Sequence, residues 1–183
     1  MYVEVLSASI DEKPLIQQMM ELYQYDFSEF ENKDLNEHGY FGYPYLDYYW
    51  VESESASHTL RDRYPFIVRV GGKLAGFVLV NQYTYIPGSQ YSIAEFFILR
   101  KYRQQGIGRN VAFQTFNRFC GKWEIHQITT NVVARKFWRR VIAEYTAGKF
   151  TETVMEVDDW RGTVQWFDNT NRIAPAASES AIA

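Results

Sequence analysis

One stretch of this sequence constrains the fold more than any other. An apolar strand pattern over residues 93–99 leads through a basic turn with two glycines directly into an amphipathic helix pattern. Glycine lets the backbone approach a ligand closely with its N–H groups exposed. The first N–H groups of the following helix have no partner inside the helix, and the helix dipole adds positive potential there. The stretch therefore predicts a phosphate-binding site between a strand and a helix.

The spacing of the two glycines excludes two common phosphate-binding motifs. A Walker-type loop has Lys and then Ser or Thr after its second glycine, whereas Gly108 is followed by Arg109 and Asn110. A dinucleotide fingerprint has a third glycine three residues after the second, and this chain has Val111 there. The pattern that remains is Arg or Gln, two residues, Gly, one residue and Gly, over residues 103–108.

This hexapeptide resembles the acyl-CoA pyrophosphate loop of the GNAT superfamily of N-acetyltransferases. A second match lies downstream, where the family has a strand followed by Asn-x-x-Ala-x-x-Phe-Tyr on the next helix. Asn131, Ala134 and Phe137 fit this pattern, and Trp138 stands where the family usually has Tyr. The two matches together extend over roughly residues 64–167.

The resemblance implies an α+β fold with a central mixed, mostly antiparallel sheet flanked by helices, in one domain over residues 1–172. The hydrophobic and turn patterns predict the same order: a strand at 2–7, a helix ending near 25, strands at 66–70, at 73–82 and up to 99, a helix at 108–120, a strand at 124–130, a helix at 132–145 and strands at 150–157 and 161–167. Residues 53–62 are predicted to form a loop or short helix. The Ala- and Ser-rich residues 173–183 are predicted to be disordered.

The resemblance also implies acetyl-CoA as the acyl donor. In the family the acyl-CoA arm lies along the strand before the loop, which implies backbone pairing with Phe96, Phe97 and Ile98. An N–H group near Ile98 or Leu99 would polarise the thioester carbonyl. Two helix residues match family positions beside the arm, namely Asn131 and Phe137. Backbone N–H groups of the loop would hold the diphosphate, and these belong to Arg103, Gln104, Gln105, Gly106, Ile107, Gly108 and Arg109.

Acyl transfer to an amine needs a proton acceptor, because a typical alkylamine is protonated at neutral pH. Glu95 is the first candidate, since it is the only acidic or basic residue between Gln82 and Arg100 and burial would raise its pKa. His126 is the second, because it lies within a predicted strand and imidazole titrates near neutrality. The alternatives are an exposed or ion-paired Glu95 and a His126 that only satisfies the core.

Trp138 is a departure from the family pattern, because many members have a Tyr there that is proposed to protonate the departing thiolate. Indole is not a practical acid at neutral pH. Tyr145, another Tyr or water would then take this role, or the thiolate would leave unassisted, or activity would be lost. A non-catalytic acyl-CoA-binding or sensing domain is therefore the alternative to an enzyme.

Aromatic and acidic side chains are concentrated in residues 23–50, where they form either ordinary core packing or a pocket for a cationic or aromatic amine. Charge is segregated as well: residues 1–62 hold 13 Asp or Glu and 3 Lys or Arg, and residues 99–149 hold 2 and 11. A basic half suits the phosphates of coenzyme A, and an acidic half suits a small cationic acceptor. Two solvated faces of opposite charge, and a protein lysine or N-terminus as acceptor, are the alternatives.

Other features limit the partners. The net charge of −3 argues against nucleic acid, and no stretch is long and apolar enough to span a membrane. The single cysteine, Cys120, allows no internal disulfide and favours a cytoplasmic location; it is predicted to be a buried helix residue. His38 and His58 show no metal-ligand spacing, so no metal site is assigned. A monomer or a homodimer is expected.

Overall fold

The computed structural model describes residues 1–51, 63–158 and 160–173, so the predictions for residues 53–62 and 174–183 lie outside the described residues. The described chain forms seven strands: β1 (Val3–Ser7), β2 (Arg63–Val70), β3 (Lys73–Asn81), β4 (Tyr91–Ile98), β5 (Lys122–Ile128), β6 (Thr151–Val157) and β7 (Trp160–Asp168). Its α-helices are α1 (Lys13–Glu31), α2 (Ile107–Phe116), α3 (Val132–Thr146) and α4 (Thr170–Ile173). The predicted α+β class and element order are confirmed.

The strands form one mixed sheet in the order β1-β2-β3-β4-β5-β7-β6. Strands β4 and β5 are parallel, and every other neighbouring pair is antiparallel. The parallel pairing begins at Tyr91 with Trp123 and ends after Ile93 with Ile125. Beyond this point β4 continues to Ile98 paired only with β3, while β5 continues paired only with β7. A strand gap, between residues 94–98 and residues 126–128, therefore opens in the middle of the sheet.

A β-bulge in β4 lies at the start of the strand gap. Leu79 of β3 pairs with Glu95 and the next residue, Val80, pairs with Ile93, so Ala94 is the extra residue. A bulge disturbs the alternation of side chains between the two faces of a strand. In a regular strand with one buried face, buried and exposed residues alternate. Here Ala94, Glu95 and Phe96 are all partly exposed. The bulge thus aims Glu95 toward the strand gap.

Helices cover both faces of the sheet. On one face α2 and α3 pack over the central strands, with Phe116 and Val141 fully buried in one core cluster. On the other face α1 packs through Ile16 and Met20, which are buried against Phe77 and Leu79 of β3 in a second cluster. In the described part of the chain, α1 and α3 both line the strand gap, one from each face of the sheet.

Helix α1 is longer than predicted, because it runs to Glu31 rather than to about residue 25. Tyr23, Phe27 and Phe30 continue the helical spacing past the predicted end, and their rings contact one another in sequence. The helix ends at Asn32, which adopts the left-handed conformation with φ of 51°. The extra turns carry these aromatic rings to the strand gap.

Helix α2 is shorter than predicted, and Cys120 is exposed rather than buried on a helix face. The amide of Asn169, which is itself buried, donates hydrogen bonds to the carbonyl oxygens of Phe116 (2.9 Å) and Phe119 (3.1 Å). When a side chain donates to the last carbonyls of a helix, it replaces the N–H groups of a further turn, and the helix ends there. The prediction for Cys120 was therefore wrong because this distant amide cannot be recognised in the local sequence.

Candidate active site

The strand gap opens into a cavity of about 1220 Å³ between α1, the segment after α1, α3 and the residues before α2. All but two of the residues predicted to form the site line this cavity: Glu95, Phe96, Phe97, Ile98, Arg103, Gln104, Gly106, Gly108, Arg109, His126, Asn131 and Phe137. Ile107 does not, because it is buried in the core at 4% exposure. The exposed Gln105 does not either, and its amide donates to the carbonyl of Lys101 (2.7 Å).

The backbone of β4 has hydrogen-bonding groups available in the strand gap. The N–H of Leu99 donates to the carbonyl of Ala75 at 2.8 Å, so the prediction that it polarises the thioester is wrong. Residues of an antiparallel ladder alternate in the direction of their hydrogen bonds, so Phe97, like Leu99, bonds toward β3. Phe96 and Ile98 point their backbone groups the other way, into the strand gap. The carbonyl of Ile98 already accepts a hydrogen bond from Arg103 Nε (2.7 Å), so the groups free to pair with a ligand there are the N–H of Ile98 and the backbone groups of Phe96.

The glycine loop, residues 103–108, presents backbone N–H groups at the mouth of the cavity. Gln104 and Gly106 have φ of 60° and 75°, and Gly106 is the N-cap of α2. No described residue accepts a hydrogen bond from the N–H of Gln104, Gln105 or Gly106. A Cβ on Gly108 would lie 3.2 Å from the Phe137 ring, so a side chain there would push the ring by a few tenths of an ångström. These features fit a phosphate group held by the backbone and the start of a helix.

The arginine side chains of this region are bound to carboxylates. Arg100 and Arg103 each donate to Asp26 of α1 at 2.5 Å, and the Nε of Arg103 donates to the carbonyl of Ile98 at 2.7 Å. Burial alone would raise the pKa of Asp26, but the hydrogen bonds from Arg103 and Arg100 hold it below its usual range. Arg109 is paired with Glu144 at 2.8 Å. The guanidinium groups thus fasten α1 to the loop, and the backbone is left for phosphate.

Sequence reasoning missed two cations on the cavity wall, Lys136 and Arg140 of α3. Both are exposed, and neither forms an ion pair with a carboxylate in the described part of the chain. They lie four residues apart, on one face of the helix. The sequence signal that could have identified these two cations is their position on the same helix, shortly after the Asn-x-x-Ala motif.

Glu95 lies in the strand gap against two tyrosines that come from α1 and from the segment after it. The hydroxyls of Tyr23 and Tyr43 lie beside its carboxylate. Burial raises the pKa of Glu95 to about 7, although the two hydroxyls oppose that shift by stabilising the carboxylate. Burial and the neighbouring Glu95 raise the pKa of Tyr23 and of Tyr43 well above that of a free phenol. Both phenols therefore stay protonated and remain donors at neutral pH.

The segment that carries Tyr43 is fastened to α1. The carboxylate of Glu21 accepts hydrogen bonds from the N–H groups of Phe41 (2.8 Å) and Gly42 (3.0 Å). The ammonium group of Lys33 donates to Gln24 Oε1 (3.3 Å) and to the carbonyl of Gly42 (3.2 Å). Two side chains on α1 and one just after it thus fix the position from which Tyr43 reaches Glu95.

His126 faces the α1 side of the sheet and is held by a buried carboxylate. Its Nε2 lies 2.7 Å from Glu124 Oε1, and Glu124 is completely buried. Burial would raise the pKa of Glu124, but hydrogen bonds from His126 and from the N–H groups of Tyr85 and Ile86 hold it low. The His126 ring also packs against Tyr85 and Trp160, whose rings stack on each other. His126 therefore lines the cavity, as its candidate role requires, and is at the same time a well-satisfied histidine.

Three further residues on or next to α3 face the cavity. Asn131 caps the helix, because its Oδ1 accepts the N–H of Ala134 at 2.9 Å. Phe137 and Trp138 pack against Phe96, and Trp138 is 5% exposed. Tyr145, a candidate acid in the sequence analysis, is not among the residues lining the cavity. Its hydroxyl instead donates to Asn117 Oδ1 at 2.8 Å, so of the alternatives for the acid Tyr145 is not placed to serve.

The geometry combines a backbone cradle for phosphate, a strand gap with free backbone groups, and a carboxylate that titrates near neutrality. A family model described as "Acetyltransferase (GNAT) family" matches residues 16–142. The chain belongs to the GNAT family of acetyltransferases. This N-acetyltransferase has no significant match among curated protein sequences.

Solved structures share the fold of this acetyltransferase at low sequence identity. An acetyltransferase from Thermus thermophilus is 13% identical, with a TM-score of 0.62 over 92% of this chain and 97% of that one. The aminoglycoside acetyltransferase AAC(6')-Ib, in complex with coenzyme A, is 11% identical with a TM-score of 0.62 over 91% and 95%. RimL, a ribosomal L7/L12 alpha-N-protein acetyltransferase in complex with coenzyme A, is 12% identical with a TM-score of 0.61 over 91% and 93%.

Neither a membrane-spanning helix nor a metal-binding cluster occurs in residues 1–51, 63–158 and 160–173 of this acetyltransferase. Within these ranges no helix has both the length and the apolar character needed to cross a bilayer. Within them, too, no three His, Cys, Asp or Glu side chains converge in a way that would hold a metal ion.

Proposed function

We propose that this acetyltransferase moves the acetyl group of acetyl-CoA to the primary amine of a small cationic or aromatic compound, with Glu95 as proton acceptor. The observation that carries the proposal is the position of Glu95 in the strand gap, with a pKa of about 7 and two phenolic donors. A general base works best when its pKa lies near the working pH. Glu95 meets this condition because it is enclosed without a cationic partner among the described residues.

The donor fits along β4. Free N–H groups of the glycine loop would hold the diphosphate, and the backbone groups of Phe96 and the N–H of Ile98 would pair with the arm. The N–H of Phe96 directly follows Glu95 and faces the strand gap, so we assign to it the polarisation of the thioester carbonyl. Coenzyme A is present in the solved structures of two fold relatives, which supports this donor.

The reaction needs no covalent enzyme intermediate. The ammonium form of the acceptor gives one proton to Glu95, and the neutral nitrogen attacks the thioester carbon. The new C–N bond forms, the C–S bond breaks, and the sulfur leaves with the electron pair. The amide nitrogen then loses its second proton to water, Glu95 returns its proton to the solvent, and the thiolate takes up a proton. Trp138 donates no proton in this scheme, because indole is too weak an acid.

The α1 side of the cavity has the composition of a site for a cationic amine. Aromatic walls come from Tyr23, Phe27, Phe30, Tyr45 and Trp160, and carboxylates from Glu29, Glu31 and Glu95. Aromatic faces and carboxylates attract an ammonium group together. The segment after α1, fastened through Glu21, encloses this side and favours a small acceptor.

A second candidate acceptor is an amine of a protein or peptide. An open groove of about 750 Å³ adjoins the cavity and shares Glu31, Lys33, Ile128 and Trp160 with it. A longer acceptor would place its amine at Glu95 and its remaining chain in this groove.

Release of free thiol from acetyl-CoA, measured across a panel of amines, tests the proposal. The panel should contain polyamines, aromatic amines, aminoglycosides and a peptide with a free N-terminus. Glu95→Gln should lower turnover about 10²–10⁴-fold on the best acceptor and leave coenzyme A binding intact. Asp34→Asn is the control, because Asp34 is an exposed carboxylate that does not line the cavity. An unchanged rate for Glu95→Gln would remove Glu95 from its role.

A further inference from the structure

One buried side chain facing the strand gap has no partner. Gln127 of β5 is 5% exposed, and neither its Nε2 nor its Oε1 has a hydrogen-bond partner. An amide that is removed from water and left unpaired destabilises a protein, so a buried unpaired amide in a folded chain calls for an explanation. Gln127 also lines the cavity, which indicates that a ligand supplies the missing partners.

The position of Gln127 defines where that ligand lies. Its neighbour His126 faces the α1 side, where it packs against Tyr85 and Trp160. Since side chains alternate along a strand, Gln127 faces the opposite side with Ile125, which belongs to the core cluster of Trp138. The last pair between β4 and β5 is Ile93 with Ile125. Gln127 lies two residues after Ile125 on β5, and Glu95 lies two residues after Ile93 on β4. It therefore lies across the strand gap from Glu95 and on the α3 side.

The chemistry of Gln127 defines what the ligand is. Its amide has one acceptor oxygen and two N–H donors. A ligand group that satisfies both ends must therefore contain both a carbonyl and an N–H. A sulfur atom or a lone carbonyl would satisfy only its donor. The arm of coenzyme A contains two secondary amides, and the nearer one is separated from the sulfur by two carbons. We infer that Gln127 is a donor-binding residue that pairs with this amide and so fixes the distance of the thioester from Glu95.

This inference rests on the proposed donor, and binding measurements separate the two. The probes are coenzyme A, desulfo-coenzyme A and adenosine 3′,5′-bisphosphate, which lacks the arm. Gln127→Met removes the amide while keeping a similar volume. It should weaken coenzyme A and desulfo-coenzyme A about tenfold each and leave the bisphosphate unchanged. Binding of neither coenzyme A nor the bisphosphate to the unmodified protein would instead refute the proposed donor.

A matched control lies on the neighbouring strand. Gln165 of β7 is also fully buried and has an unpartnered Oε1, but its Nε2 donates to Glu152 and it does not line the cavity. Gln165→Met should leave the affinity for all three probes unchanged. Equal affinity of Gln127→Met and unmodified protein for coenzyme A would overturn the inference. The inference would also be overturned if Gln127→Met lost no affinity for desulfo-coenzyme A, or if it lost affinity for the bisphosphate.

Discussion

The hydroxyl of Tyr43 lies beside the carboxylate of Glu95, and so brings the segment after α1 to the bulge of β4. A donor to a carboxylate stabilises the charged form and lowers its pKa. Tyr43→Phe should therefore raise the pKa of Glu95, and the acidic limb of kcat/KM should move from about 7 to higher pH by about one unit. Tyr40→Phe, at an exposed position of the same segment, should leave the profile unchanged. A limb that stays in place would show that the hydroxyl does not act on the catalytic group.

Glu95 should destabilise the ligand-free protein at alkaline pH. Its pKa in the folded protein, about 7, is above its ordinary value of 4.5, so this contribution to stability is present below 4.5 and is lost as the pH rises through 7. Glu95→Gln cannot ionise and should be more stable than the unmodified protein at pH 8 by about 1–3 kcal/mol. Thermal melting from pH 4 to pH 9 measures the stability of both proteins, and their stability-against-pH curves should converge at the acidic end. Parallel curves would contradict the prediction, because they would mean that Glu95 is exposed to water in the folded protein.

Much of the donor half of the site was predictable, because it consists of consecutive residues around one strand, turn and helix. The glycine loop was identified by its spacing, and Asn131 and Phe137 by their resemblance to a family motif, and the cavity brings them together. Glu95 stood out because a carboxylate in an apolar strand is costly to bury. These signals are local, so they can be recognised without knowledge of the fold.

The remaining features depend on tertiary contacts that local sequence does not contain. The pairing of Arg103 with Asp26 joins two residues that are 77 positions apart in the chain. The bond from Leu99 to Ala75 removes one predicted oxyanion donor, and the partners of Tyr145 remove a predicted acid. Each correction involves residues far apart in the chain.

Lys136 and Arg140 should contribute to donor affinity through their charge. The double variant Lys136→Glu, Arg140→Glu should raise KM for acetyl-CoA about tenfold at low salt and leave kcat unchanged, because it repels a phosphate-rich ligand without touching the strand gap. The effect should shrink in about 0.5 M salt, where charges are screened over a few ångströms. Lys149→Glu also replaces a positive charge by a negative one, but at a position outside the cavity, and it should have little effect on KM. An equal rise for both variants would point to net charge alone.

Trp138 should be important for packing rather than for proton transfer. It is 5% exposed against Phe96 and Phe116, so Trp138→Phe should cost about 1–3 kcal/mol of stability and lower kcat only a few-fold. Trp138→Tyr places a phenol where the family usually has one and should raise kcat relative to Trp138→Phe. The two variants are compared at one temperature below both melting points. A loss of kcat beyond about 100-fold in Trp138→Phe would show that the indole acts in the reaction.

The two glycines of the loop should respond differently to alanine. A Cβ at Gly108 would meet the Phe137 ring at 3.2 Å inside a helix, where alanine is otherwise favoured over glycine by up to about 1 kcal/mol. Gly108→Ala should therefore keep its melting temperature and bind coenzyme A more weakly, because Phe137 is pushed toward the donor. A Cβ at Gly106 meets nothing within 4 Å, but its φ of 75° is strained for alanine by about 1–2 kcal/mol. Gly106→Ala should thus lose stability, and calorimetry of both variants with and without coenzyme A separates conformational strain from lost space. The reverse pattern, a destabilised Gly108→Ala with normal binding, would contradict the position of Phe137 beside the donor.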